Sequence, residues 1–169
     1  MANRGVSKLG ASGAGASGTG SSRRKAREFA FRVLFEAEQG KQGVNNAWQN
    51  AKLALQDQKA ESDRRDDENA LDAEGLAFAH RLVLGYDDKR HEIDQTLERV
   101  IEGWSFTQMS QTDLTLLRLA SYEIMHTDTP PNAVMEVTIR LAKKYGGEES
   151  GRFVNGVLAR LVKHLETKV

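Results

Sequence analysis

The chain contains no cysteine. Disulfides and thiolate metal sites are therefore unavailable, which agrees with a reducing cytoplasm. Long apolar runs are missing too: nothing approaches the roughly 18 residues that span a bilayer. The small-residue N-terminus lacks the apolar stretch of a secretory signal. Proline is almost absent, and its two copies stand together at Pro130 and Pro131. Histidine is sparse and scattered: His80, His91, His126 and His164 form none of the close pairs that metal sites use, so neither a metal nor a cofactor is expected. No catalytic motif is present. Glu148 and Glu149 are not an acid/base pair, being better placed to favour a following helix dipole. Net charge is also lacking, with 24 basic against 24 acidic side chains.

The signs are nevertheless segregated. Residues 1 to 41 hold eight basic and three acidic side chains, residues 140 to 169 hold seven and three, and Asp57 to Glu74 reverse to eight acidic against three basic. A neutral protein arranged in this way can present one face to a polyanion, because local potential governs steering. The plainer reading of such runs is a set of solvated faces.

At 169 residues the chain is long enough for one well-buried core. Residues 1 to 21 are mostly Gly, Ala and Ser and read as a disordered tail, since they bury too little to offset ordering entropy. Gly13, Gly15 and Gly18 match a dinucleotide-binding spacing, but no strand precedes them. From Ser22 the pattern is helical: Ala26, Phe29, Ala30, Val33, Leu34 and Ala37 recur at helical steps, with Ser22 as the expected cap and Gly40 as the expected end. Further runs are predicted at 44–56, 70–85 and 88–102, with a polar loop from Gln56 to Asn69. A fifth run, 111–126, is apolar on all sides and should be central; Ser110 and Asp113 mark its start. Pro131 suits a first helical turn, which places a sixth helix at 132–145, ended by Gly146 and Gly147. A seventh follows at 150–165, capped by Ser150. With no alternating strand pattern, the fold class is all-α.

Arg23, Arg24, Lys25 and Arg27 crowd the positive end of a helix dipole, an unfavourable place worth roughly 0.3 to 1 kcal/mol each, and so suggest a polyanion partner. Phe31 and Phe35 are one turn apart and either pack in the core or stack on unpaired bases. Arg152 and Phe153 open the seventh helix, where Phe153 most simply packs inward. Asn155 and Gly156 look structural, Gly156 permitting a close helix approach. Asp113, Arg118, Tyr122 and Glu123 are either core hydrogen-bonders or a strip facing a partner.

Several of these blocks, taken in order, resemble the NusB family of bacterial transcription antitermination factors: Arg23-Arg24-Lys25-Ala26-Arg27-Glu28, Leu117 to Glu123, Thr129-Pro130-Pro131, Leu141 to Gly146, and Arg152 to Leu158. The resemblance covers about residues 22 to 165. It departs at Glu136 and Val137, at the Gly/Ser tail and at the acidic 56–69 loop. It implies a 22–169 domain of two packed small bundles, three N-terminal helices on four C-terminal ones. It also implies a non-enzyme that binds boxA RNA of ribosomal RNA leader transcripts together with NusE, a small-subunit ribosomal protein, within an RNA polymerase antitermination complex. The RNA-binding residues so implied are Arg23, Arg24, Lys25, Arg27, Arg152 and Phe153; Asp113 and Tyr122 would dock NusE, and a homodimer stays open. The alternatives are a helical module that binds protein alone, and a relative of the N-terminal domain of rRNA cytosine methyltransferases. The end at Val169, which leaves no room for a cofactor-binding domain, counts against the second.

Overall fold

A helix needs an apolar stripe to bury and something to stop it, and the chain supplies both repeatedly. The computed structural model describes residues 16–61 and 71–168. They form α1 (Ala16–Gln39), α2 (Val44–Glu61), α3 (Ala73–Val100), α4 (Gln111–His126), α5 (Pro131–Gly146) and α6 (Glu148–Glu166), with one 3₁₀ turn at Phe106–Gln108 and no strand among the described residues. The all-α reading holds. None of these helices is long and apolar enough to cross a membrane.

α1 buries Ala26, Ala30, Val33, Leu34 and Ala37 as the periodicity requires. Its C-terminal end, at Gln39 before Gly40, is as expected, while its start differs. The helix begins at Ala16, so residues 16–21 of the expected tail are helical, while residues 1–15 lie outside the described residues. Once the apolar stripe has nucleated the helix, each further turn costs little. Ser22 consequently caps nothing: its hydroxyl donates to Asp72 Oδ1 at 3.1 Å. Asp72 is the real cap, for α3, where it accepts the Gly75 N–H at 2.6 Å. At the C-terminal end the left-handed residue is Lys41 rather than Gly40, with φ +48°. The Lys41 N–H reaches the Glu38 carbonyl at 3.3 Å and the Gln42 N–H that of Ala37 at 3.1 Å, a Schellman closure with lysine where glycine is usual.

α2 continues to Glu61 through part of the expected loop; residues 62–70 of that loop lie outside the described residues. The runs predicted at 70–85 and 88–102 are one helix of 28 residues. Nothing in Tyr86-Asp87-Asp88 breaks a helix, and buried Tyr86 carries the stripe of Leu82 on towards Ile93 and Leu97. The helix count is therefore six. α3, about 42 Å long at 1.5 Å per residue, packs on α1, α2, α4 and α6 and contributes to a single continuous core.

α4 is central as predicted, packed against α1, α3, α5 and α6, with Leu114, Leu116, Leu117, Leu119 and Ala120 all buried. Ser110 caps it by accepting the Asp113 N–H at 3.1 Å. Pro131 opens α5 at its first turn. α5 stops at Gly147, whose φ of +92° suits glycine, and α6 starts at once at Glu148. Ser150 therefore lies within the first turn of α6 and does not cap it.

Candidate nucleic-acid interface

Positions four apart share a helix face, so Arg23 and Arg27 project together from α1 onto the same neighbour, Phe78 of α3. Their guanidinium carbons lie 4.4 and 5.2 Å from its ring centroid, and that of Arg81, one turn further along α3, lies at 5.8 Å. Each such cation–π contact contributes about 0.5–1 kcal/mol where exposed. Phe78 and Leu82 floor an open groove of about 550 Å³ whose opposite wall is Tyr122 and the α4–α5 turn, Thr127 to Pro130.

The three guanidiniums are not equivalent. Arg27 is buried, and its Nε donates to both Glu123 oxygens, at 3.0 and 2.9 Å, while Nη2 also meets Oε1. Its charge is cancelled inside the protein, so the expectation that Arg27 is free to meet phosphate is corrected: on the face it shares with Arg23, it alone stands within reach of Glu123 on α4. Arg23 and Arg81 have no ion-pair partner among the described residues, and with Asp128 on the rim the groove carries a net single positive charge. Arg24 is exposed and Lys25 half-buried, on other sides of α1.

Arg152 and Phe153 do not line this groove. Arg152 is exposed; Phe153 is half-buried, meeting Trp104 edge-to-face at 5.6 Å and 62°. Trp104, 54 % exposed, was missed from sequence because it sits in a non-periodic link. Phe78 and Arg81, one turn apart on α3, carry no local signal of this role; only the contacts from Arg23 and Arg27 of α1 bring them into the site. Phe31 is buried and Phe35 half-buried, which settles core packing for Phe31.

The polar residues of α4 are mainly internal. Arg118 donates from Nε and Nη2 to the two Asp94 oxygens at 2.9 and 3.0 Å. Although partial burial opposes its charge, the Asp94 hydrogen bond and nearby anions hold it fully protonated. Tyr86, beside this pair, has its phenol pushed up to about 12 by burial. Asp113 is buried and its Oδ1 has no hydrogen-bond partner among the described residues. Tyr122 is half-buried, its ring laid against Gly85, where a Cβ would fall 1.9 Å from the hydroxyl. Burial, then Asp88 and Glu123, raise its phenol pKa. Asp113 and Tyr122, nine positions apart on α4, thus open onto different places.

At α6 the structure corrects the role given to Gly156, around which a Cβ would find nothing within 4 Å, and Asn155 is exposed. The close approach is at Gly151, where a Cβ would stand 2.7 Å from Lys143 Cγ. The Glu136 departure is a surface matter, with its carboxylate accepting from Arg140 at 3.1 Å.

No cluster of three or more potential metal ligands occurs among the described residues. An all-helical bundle with an arginine-lined groove, exposed cations and a part-exposed aromatic pair has the surface chemistry of a helical protein that binds a polyanion. Comparison with known proteins gives the family. The NusB family matches residues 24–163, and the chain belongs to it. It is 48 % identical over 146 residues to the transcription antitermination protein NusB of Deinococcus deserti, covering 86 % of this chain and 83 % of that one. It is 46 % identical over 143 residues to that of Thermus thermophilus, covering 85 % and 91 %. Among solved structures, a crystal structure of antitermination factors NusB and NusE in complex with dsRNA aligns with TM-score 0.70 and 25 % identity, over 85 % of this chain and 97 % of that one.

Proposed function

We propose that the protein is a transcription antitermination factor that binds the boxA element of nascent ribosomal RNA leaders together with NusE, and keeps RNA polymerase processive through those transcripts. It is a cytoplasmic binding protein, not an enzyme. The observation that carries this reading is the family match, at 46 to 48 % identity over most of the chain, together with an arginine groove whose free charges suit a polyanion.

Binding divides into backbone and base contacts. Arg23, Arg81, Arg24 and Lys25 neutralise phosphates along α1 and α3, and Arg152 does so at α6. Phe153, packed against Trp104, is the aromatic assigned to stack on an unpaired base. Arg27 contributes indirectly, by fixing α1 on α4 so that Arg23 and Arg24 are held outward. The NusE partner is assigned to α4, where the part-exposed ring of Tyr122 supports the contact; Asp113, buried and opening elsewhere with its Oδ1 shielded, does not add to that support.

The test is binding of labelled boxA RNA, with and without NusE, across a salt series. Tight binding that NusE strengthens is expected, and Arg23→Ala with Arg81→Ala should lower the slope of log affinity against log salt by roughly 0.7 per contact on single-stranded RNA. Equal affinity for a scrambled RNA under both conditions would refute the reading.

A further inference from the structure

Away from the arginine groove, the last turn of α5 carries a second cluster. Tyr145 is 42 % exposed, yet its ring is fixed. It rests on buried Phe31 with centroids 5.1 Å apart at 55°. Its hydroxyl donates to Glu28 Oε1 at 2.6 Å, and the same oxygen accepts from Lys144 Nζ at 2.6 Å. The Lys144 ammonium also stands 5.5 Å from the ring centroid. Arg32, exposed and one turn beyond Glu28 on α1, lies close enough to act on both the carboxylate and the phenol. Lys143 is partly engaged by Glu148 at 3.9 Å. Lys144 and Arg32 set against Glu28 leave the patch with one net positive charge.

An aromatic ring already locked in place loses little entropy when a base settles on it, and flanking cations suit the phosphates on either side. We propose that Tyr145 is a stacking platform for an unpaired base of the bound RNA, with Lys144 and Arg32 meeting the adjacent phosphates and Glu28 acting as the positioning residue for both Tyr145 and Lys144. This rests on the RNA-binding function above and extends its site from the α1 arginines to the α5 C-terminus. Burial and the Glu28 hydrogen bond hold the Tyr145 phenol up at about 12, so the hydroxyl remains a donor at neutral pH. Glu28 itself, despite partial burial that opposes its charge, is kept below the ordinary glutamate value by the hydrogen bonds from Lys144 and Tyr145. The clamp is closed under the conditions in which RNA binds.

The experiment measures anisotropy of labelled single-stranded boxA RNA on the full chain, with NusE present, for Tyr145→Leu, Tyr145→Phe and Glu28→Ala, each checked for its thermal midpoint. Loss of one stacked base, about 1–3 kcal/mol, corresponds to roughly 5- to 150-fold weaker binding. Tyr145→Leu, which keeps an apolar contact with Phe31, should show that loss with an unchanged salt slope, since no phosphate contact disappears. Tyr145→Phe should retain most of the affinity. Glu28→Ala separates positioning from charge: a carboxylate that merely repels RNA would give tighter binding when removed, whereas a positioning residue gives weaker binding. Unchanged affinity in Tyr145→Leu, or a loss seen only as weaker NusE recruitment at constant intrinsic RNA affinity, overturns the proposal alone. Absence of RNA binding by the unsubstituted chain overturns the functional reading and this proposal with it.

Discussion

Replacing Arg27 by Ala should cost the protein stability first and RNA affinity only as a consequence, the reverse of what its place in an arginine-rich segment suggests. Arg27 is 8 % exposed and Glu123 only 1 %, and three N–H···O contacts join them across 96 positions of sequence. Removing either partner strands the other as a buried, uncompensated charge, which costs about 3 to 5 kcal/mol. For a domain of this size each kcal/mol moves the midpoint by about 2–4 °C. Arg27→Ala and Glu123→Ala should therefore each melt roughly 6 to 20 °C lower by circular dichroism, in the upper half of that range if the neighbours cannot relax. The double replacement Arg27→Met with Glu123→Leu removes both charges and should recover most of the loss, because two desolvated ions are exchanged for apolar packing. Arg24→Ala, at an exposed position, should stay within about 0.5 kcal/mol. Measured where the variant is folded, Arg27→Ala should bind RNA with an unaltered salt slope. Unaltered stability accompanied by a slope reduced by roughly 0.7 would refute the argument and return Arg27 to the phosphate-binding set.

Lys41→Gly should stabilise the chain by about 0.5–1 kcal/mol, read from urea midpoints: the left-handed conformation at φ +48° costs an L side chain about 1–2 kcal/mol, of which glycine's extra unfolded-state entropy returns part. A lower midpoint would mean that the lysine side chain makes a compensating contact. Glu28, held below its ordinary value of 4.5, should contribute stability that is fully present above about pH 4.5 and is lost as pH falls through its folded value. The difference in thermal midpoint between the parent chain and Glu28→Gln should accordingly shrink on acidification below that pH, and a difference that grows there would contradict the assigned clamp.

Local chemistry carried a large part of the outcome. The ends of α4 were legible because Ser110 caps it and two prolines follow, both effects acting over a few residues; α5 was legible because Pro131 opens it and a glycine in the left-handed region closes it. The apolar surround of α4 announced a central helix, since an element apolar on every side must be covered on every side. The ordered blocks from Arg23 to Leu158 indicated the family. Elsewhere local signals misled. Two runs became the single α3 because Tyr86 bridges them through a core contact that no propensity at Asp87 and Asp88 reveals, and α1, ending at Gln39 beside the expected Gly40, takes its left-handed residue one position later, at Lys41, where the Schellman hydrogen bonds set the closure.

The sequence by itself determined that the chain is helical, that cations gather at both ends, and which family it belongs to, because periodicity, composition and motif order are properties of the chain read along its length. Which cations are free was decided only by tertiary structure. Arg23 and Arg27 are the same chemistry four residues apart in one groove, yet only Arg27 meets a buried glutamate on α4. Lys144 and Tyr145 acquire their common anchor from Glu28, more than a hundred positions away. The physical reason is that a charge is neutralised by what stands within a few ångströms of it in space, and pairings across 96 or 116 positions leave no local trace in either segment.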